Sequence, residues 1–284
     1  MQQSFDPVAF KETTRQQWQS AAAAWHRWTP TLQAWLDPIT KAMLDEARLE
    51  PGDRVLDLAA GAGEPSLSAA ERVGPSGHVL ATDISSNILE FAAESARQRG
   101  LANFETRVMD GEKPDVPDAS FDAVMSRLGL IYFPDRDSAL RAAHRVLKEG
   151  GRVVLASFSS PDHNRFFSIP VSIIRRRAQL APPAPGLPGP FSLGAQAVME
   201  ETLRRAGFIE VTAHAVQTPL KLASAAECAR FERESFGALG QMLAALPPAE
   251  QDAAWDEIEQ ELGAFENAGG FEAGTELMIG AGTK

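Results

Sequence analysis

The sequence predicts an α/β protein: a mostly parallel sheet with helices on both faces. Three observations point there. Between residues 54 and 158, short apolar runs alternate with longer amphipathic stretches, the signature of successive strand–helix units. The first run, Val55-Leu56-Asp57-Leu58, breaks into a turn of small residues, Ala59-Ala60-Gly61-Ala62-Gly63. The second, beginning at His78, ends in Asp83, twenty residues after Gly63. Strand, glycine turn and helix start together place a ligand site at the carboxyl edge of a parallel sheet, with right-handed crossovers.

Bulk properties bound the rest. A chain of 284 residues, 44% hydrophobic, is long enough for one large domain or a core carrying a cap. A formal net charge of −11 argues against nucleic acid or an anionic membrane as partner. The Arg175-Arg176-Arg177 patch reads as a solvated helix face. One cysteine, Cys228, excludes an internal disulfide and a cysteine-rich metal site, and no metal is expected. No apolar run reaches membrane-spanning length and no signal-like N-terminus is present, so a soluble, cytoplasmic protein is expected.

The elements follow in order. Phe10, Thr14, Trp18, Ala21 and Trp25 recur every three or four residues, an amphipathic helix. Four of the five tryptophans (Trp18, Trp25, Trp28, Trp35) fall in or just after it, and serve either to pack on the core or to face a pocket as a lid. Thr29-Pro30 opens a second helix to about residue 48, and Pro51-Gly52 turns into the first strand. Strands are expected at 54–58, 78–83, 104–108, 121–126 and 151–158, with helices at 65–73, 86–99 and 136–147. Beyond 158 the alternation stops. A helix at 170–180, a proline-rich loop at 181–191 and a helix at 194–206 come next. Then follow a strand at 208–215, prolonged or succeeded by another to 222, helices at 223–246 and 247–263, and a closing strand at 275–282.

Four blocks carry a family resemblance: VLDLAAGAGEPSL, ATDIS, MDGEKPDVPDASFDAVMSRLGLIYFPD and ALRAAHRVLKEGGRVVLASF. In this order and spacing, across 51–158, they resemble class I S-adenosylmethionine-dependent methyltransferases of the ubiquinone/menaquinone-biosynthesis-like small-molecule branch. The resemblance implies a Rossmann-like seven-stranded sheet of order 3-2-1-4-5-7-6, its last strand antiparallel. It also implies a helical lid at 1–50, a cofactor-binding core at 51–158 and a substrate cap insertion at 159–193. The rest of the sheet lies in 194–284, with a helical insertion at 224–263. The cofactor would be S-adenosylmethionine, leaving as S-adenosylhomocysteine.

Site residues follow. Asp57, Ala59, Gly61 and Gly63 form the turn beneath the cofactor. Asp83, with Ile84, is placed to accept both ribose hydroxyls or, alternatively, to cap the next helix. Asp110 and Gly111 correspond to the family's adenine contacts, or simply suit a tight bend. Ser126 and Arg127 end the fourth strand, where the guanidinium would hold a carboxylate or bond loop carbonyls. Trp28 sits where relatives carry an aromatic against the cofactor. Trp25, Leu128, Phe166 and Phe191 would contact the substrate. His163 is the first candidate for a general base and His26 the second, with Tyr132, the sole tyrosine, orienting a substrate hydroxyl. His78, His144 and His214 read as packed or surface residues.

The implied reaction is methyl transfer to a small, apolar or aromatic molecule, with C-, N- and O-acceptors all open and the protein a monomer or homodimer. Two alternatives stand. A nicotinamide-dependent oxidoreductase shares the turn and the distal acid, but Ser66 stands where its third glycine would be. A non-catalytic nucleoside-binding protein shares the fold.

Overall fold

The computed structural model describes residues 5–181, 184 and 186–284. Parts of the N-terminal and proline-rich expectations (1–4, 182, 183, 185) lie outside these. The first helix, α1 (Pro7–Arg27), starts at Asp6, whose carboxylate accepts from the amides of Val8 and Ala9. Pro7 fills the first helical position, where no donor is lost. After Trp28 alone comes α2 (Thr29–Glu46). It buries Leu32, Trp35, Leu36, Ile39 and Met43, one stripe at helical spacing.

The core then alternates: β1 (Arg54–Leu58), α3 (Ser66–Val73), β2 (His78–Asp83), α4 (Ser86–Gln98), β3 (Phe104–Val108), β4 (Phe121–Arg127), α5 (Arg136–Val146) and β5 (Leu147–Phe158). Next are α6 (Arg165–Arg177), α7 (Gln196–Arg205), β6 (Ile209–Gln217), β7 (Leu220–Leu222), α8 (Ala225–Ser235), α9 (Gly237–Leu243) and α10 (Pro248–Leu262). The chain closes with β8 (Glu266–Asn267), β9 (Gly270–Ala273) and β10 (Glu276–Thr283).

Seven strands form one sheet in the order β3-β2-β1-β4-β5-β10-β6. The first five run parallel, and β10 lies antiparallel to both β5 and β6. This is the expected order with the closing strand reversed. Val55 and Leu56 of β1 and Ala123 to Met125 of β4 are sealed from solvent, as strands covered on both faces must be. The carboxyl ends of β1, β2, β3 and β4 therefore converge on one edge.

Four features differ from expectation. β5 begins at Leu147 rather than 151, because its pairing with β4 resumes across an irregularity between Phe121 and Ala123. α6 begins at Arg165 and carries Pro170 inside it. Here Asn164, buried, donates to the carbonyls of Ser160 and Glu276 and accepts the Glu276 amide, anchoring the helix start earlier than its proline suggests. The long helix expected over 223–246 is broken at Phe236, whose backbone leaves the helical region (φ −98°, ψ 76°). Finally, β7, β9 and β8 form a second, three-stranded sheet that was not anticipated. Its hairpin turns at Asn267 to Gly270, a glycine-bearing loop of the kind that joins short strands.

The segment after β5 packs inward. Phe166 and Phe167 are buried, Phe166 standing edge-on to Trp35 (5.1 Å) and Phe167 stacked on Phe158 (5.8 Å). The face of α6 is thus core rather than an outer cap.

Candidate active site

The turn after β1 is built from left-handed backbone. Ala59, Gly61 and Gly63 have φ of 60°, 57° and 113°. A side chain at Gly63 would put its Cβ 2.8 Å from Leu67 Cδ1 and 3.2 Å from Ala92, so this glycine lets α3 and α4 close on the turn. At Gly61 the nearest atoms to such a Cβ are Ile88 Cδ1 at 3.8 Å and the Trp25 indole nitrogen at 4.0 Å, so its outer side is roomier. Ala59 has no such freedom and is held in a region costing about 1–3 kcal/mol, as is Leu128 at φ 59°. The residue after Leu128 must be glycine here: a Cβ on Gly129 would lie 2.5 Å from that of Ala59. Among the described residues, two of the six non-glycine residues with left-handed backbone thus fall at this sheet edge, where strain can serve a binding site.

Asp83 ties that edge together. Its Oδ2 accepts the Gly61 amide at 3.1 Å and its Oδ1 the Ser85 amide at 2.9 Å. The two readings of this residue are compatible, since one carboxylate braces both turn and helix start and keeps further lone pairs. Burial pushes its pKa up to about 6, against the three backbone amides that stabilise the ionised form.

A single cavity opens over this edge. Its floor is Ala59, Gly61, Asp83 and Ile84 from the first two strands. Asp110 and Gly111 follow from the third, and Arg127 and Leu128 from the fourth. Its roof comes from α1, through Lys11, Thr14, Trp18 and Trp25, and from Phe236 in the α8–α9 break. The aromatic rings meet nearly at right angles: Trp18 on Trp25 (5.2 Å, 88°), Trp18 on Tyr132 (6.0 Å, 71°) and Trp25 on Phe236 (5.9 Å, 83°). Edge-to-face contacts like these build a rigid apolar box. Arg127 is half committed: it donates to Thr40 Oγ1 and, at 2.9 Å, to the Glu64 carbonyl, while burial lowers its pKa.

Several expected site residues lie outside this wall. Asp57 is buried beneath the turn, accepting from Ser66 Oγ, with its Oδ1 unpartnered; burial pushes its pKa up to about 7. Ser126 donates to the Leu58 carbonyl (2.8 Å), joining the ends of β1 and β4. Trp28 turns away, its indole donating to Glu234 at 2.9 Å beneath the guanidinium of Arg230. Phe166 and Phe191 belong to the aromatic core around Phe158. Neither histidine reaches the cavity. His163, its side chain 62% exposed, pairs with Glu276 (2.7 Å), and His26 stacks on Phe91 (4.3 Å). Neither is therefore placed to act as a general base there. For Asp57, Ser126 and His163, proximity in sequence to a strand end does not set which way a side chain points.

Other residues complete the wall. Lys11 bonds Asp110 (2.8 Å) and Glu112 across 99 and 101 residues, pinning α1 over the cavity. Its spacing to Thr14, Trp18 and Trp25 put it on one helix face, so periodicity carried the signal. Phe236 had no such signal, whereas Phe133 lines the wall as expected of the stretch 128–133 after the fourth strand. Replacing Lys11 with Met should raise amide exchange in the first turns of α1 several-fold. Global stability should fall by no more than about 1 kcal/mol, because the pair is partly exposed. Unchanged exchange would mean that the tryptophans alone hold the helix.

A family model described as a methyltransferase domain matches residues 49–180. That stretch is a methyltransferase domain. Among characterised relatives, it resembles nocamycin O-methyltransferase of Saccharothrix syringae, 32% identical over 61% of this chain and 65% of that one. It also resembles a ubiquinone/menaquinone biosynthesis C-methyltransferase of Pseudoalteromonas translucida, 39% identical over 39% of this chain and 45% of that one. The matches thus span roughly half to two thirds of these relatives. In fold, a putative methyltransferase from Bacillus halodurans superposes with a TM-score of 0.57 at 22% identity, covering 86% of this chain and 98% of that one. The domain contributes the cavity floor, whereas α1 and Phe236, outside it, contribute the roof. No described helix is long and apolar enough to cross a membrane.

Proposed function

We propose that this chain transfers the methyl group of S-adenosylmethionine to a small, largely apolar or aromatic molecule. The observation that carries this is Asp83: a buried carboxylate at the tip of β2, bonded to the glycine turn and open to the same cavity as Asp110 and the aromatic box. The fit is chemical. Asp83 would accept ribose hydroxyls, Asp110 and the Gly111 backbone would meet the adenine, and Arg127 has donors left for a carboxylate. When bound, S-adenosylmethionine supplies an electrophilic methyl on a positively charged sulfur. The chain's own contribution is to orient the acceptor and exclude water, which α1 and Phe236 do from above. The relatives' small-molecule substrates and the net charge of −11 support a small acceptor over a nucleic acid.

Calorimetric titration with S-adenosylmethionine, S-adenosylhomocysteine and a nicotinamide dinucleotide tests the reading. Binding of the first two on the order of micromolar, with none of the third, is expected. Binding of the dinucleotide alone would replace methyl transfer by hydride transfer.

A further inference from the structure

Four polar groups on the cavity wall have no hydrogen bond to any described residue: the hydroxyls of Thr14 and Tyr132 and the indole N–H groups of Trp18 and Trp25, and of these only Tyr132 is a phenol. Tyr132 ends the short 3-10 turn Leu130–Tyr132 that follows β4, lines the cavity, and stands edge-on to Trp18. Its ring is mostly packed. Its hydroxyl makes no hydrogen bond to any described residue, yet is not among the sealed, unpartnered polar atoms, so it faces the open space.

The acids around it are all engaged. Asp83 accepts from the Gly61 and Ser85 amides. Asp110 and Glu112 share Lys11, and Glu64 is paired with Arg99 (2.8 Å) and Ser68. No histidine among the described residues lines the wall. An acceptor that must lose a proton inside this cavity finds no free base. One that arrives already ionised finds a donor in Tyr132, the partly buried Arg127 cation, and aromatic walls from Trp18, Trp25 and Phe133.

We infer that Tyr132 donates a hydrogen bond to an oxygen of the acceptor, and that the acceptor is a planar molecule carrying that oxygen as a phenolate or enolate. This rests on the methyl-transfer reading. Burial pushes the Tyr132 pKa up to about 12, so the phenol remains a donor and never competes as a base. The balance closes without proton movement. The acceptor anion forms its new bond to the methyl carbon while the carbon–sulfur bond breaks with its pair onto sulfur, and both charges are cancelled.

The test uses 4-nitrophenol, whose ionised form is yellow, titrated against pH with the protein saturated by S-adenosylhomocysteine; nitrobenzene serves as the probe lacking the oxygen. In the wild type the bound nitrophenol should ionise at lower pH than when free. In Tyr132→Phe that displacement should vanish and phenolate affinity fall at least about tenfold, with nitrobenzene binding unchanged. Retention of the displacement in Tyr132→Phe would overturn the inference and assign the anion to Arg127. Equal losses for both probes would reduce Tyr132 to packing, and no binding of nitrophenol to the wild type would exclude the acceptor class. Failure of the underlying methyl-transfer reading shows separately, as absent S-adenosylhomocysteine binding before any probe is added.

Discussion

Asp83→Ala is expected to weaken S-adenosylmethionine binding by about 2–4 kcal/mol, on the order of 30- to 1,000-fold. Two hydroxyl donors would lose a charged acceptor, each such bond contributing about 1.5–3 kcal/mol before reorganisation. The substitution also frees the Gly61 and Ser85 amides, so Asp83→Asn is the companion, keeping an oxygen for one of them while removing the charge. The effect should depend on pH with a defined sign. Burial raises this carboxyl to about 6 in the free protein, and hydroxyl donors favour its ionised form. Binding therefore expels a proton below pH ~6, and affinity should fall there by up to about tenfold per pH unit. Calorimetry at pH 5, 6 and 7 checks both. Unchanged affinity in both variants would remove the ribose assignment.

Asp57→Asn should make the protein more stable at neutral pH, by an amount on the order of 3 kcal/mol. Asp57 is fully buried; burial is the largest influence on it and outweighs the Ser66 hydrogen bond and the Arg127 charge, which favour ionisation. Its carboxyl is pushed from 3.8 to about 7, so between those values the folded state holds a proton that the unfolded state releases. Stability is then highest below the unfolded value and declines as pH rises to about 7, by up to about 1.4 kcal/mol per unit. Asn mimics the neutral acid and removes that slope. Urea unfolding at pH 5 and pH 7 measures it in both proteins. Equal slopes would mean that Asp57 is ionised in the fold and neutralised by Arg127.

Both predictions concern acids that the sequence singles out, but for Asp57 the structure assigns a different role. Asp57 stands beside the glycine turn in the chain, and a role at the ligand followed naturally. In the fold, alternation along β1 sends its side chain down onto Ser66 instead. The same limit explains Ser126, which points to the Leu58 carbonyl, and Gly63, whose missing side chain serves Leu67 and Ala92. The histidines failed more simply. His163 follows β5 by five residues, but the loop carries it to Glu276 at the surface.

The sequence by itself determined the strand–helix alternation, the glycine turn, the acid at the tip of β2 and the sheet order, the last through family resemblance. These depend on local backbone demands and on hydrophobic periodicity, both written in consecutive residues. Only the tertiary structure decided what covers the site. Periodicity tells that Trp18, Trp25 and Lys11 share a helix face, but an apolar face looks the same whether it meets protein or a cavity. Phe236 reaches that cavity from more than a hundred residues beyond β4, through a helix break that no propensity announced. Such walls are made by packing between distant segments, and packing belongs to the whole chain at once rather than to any stretch of it.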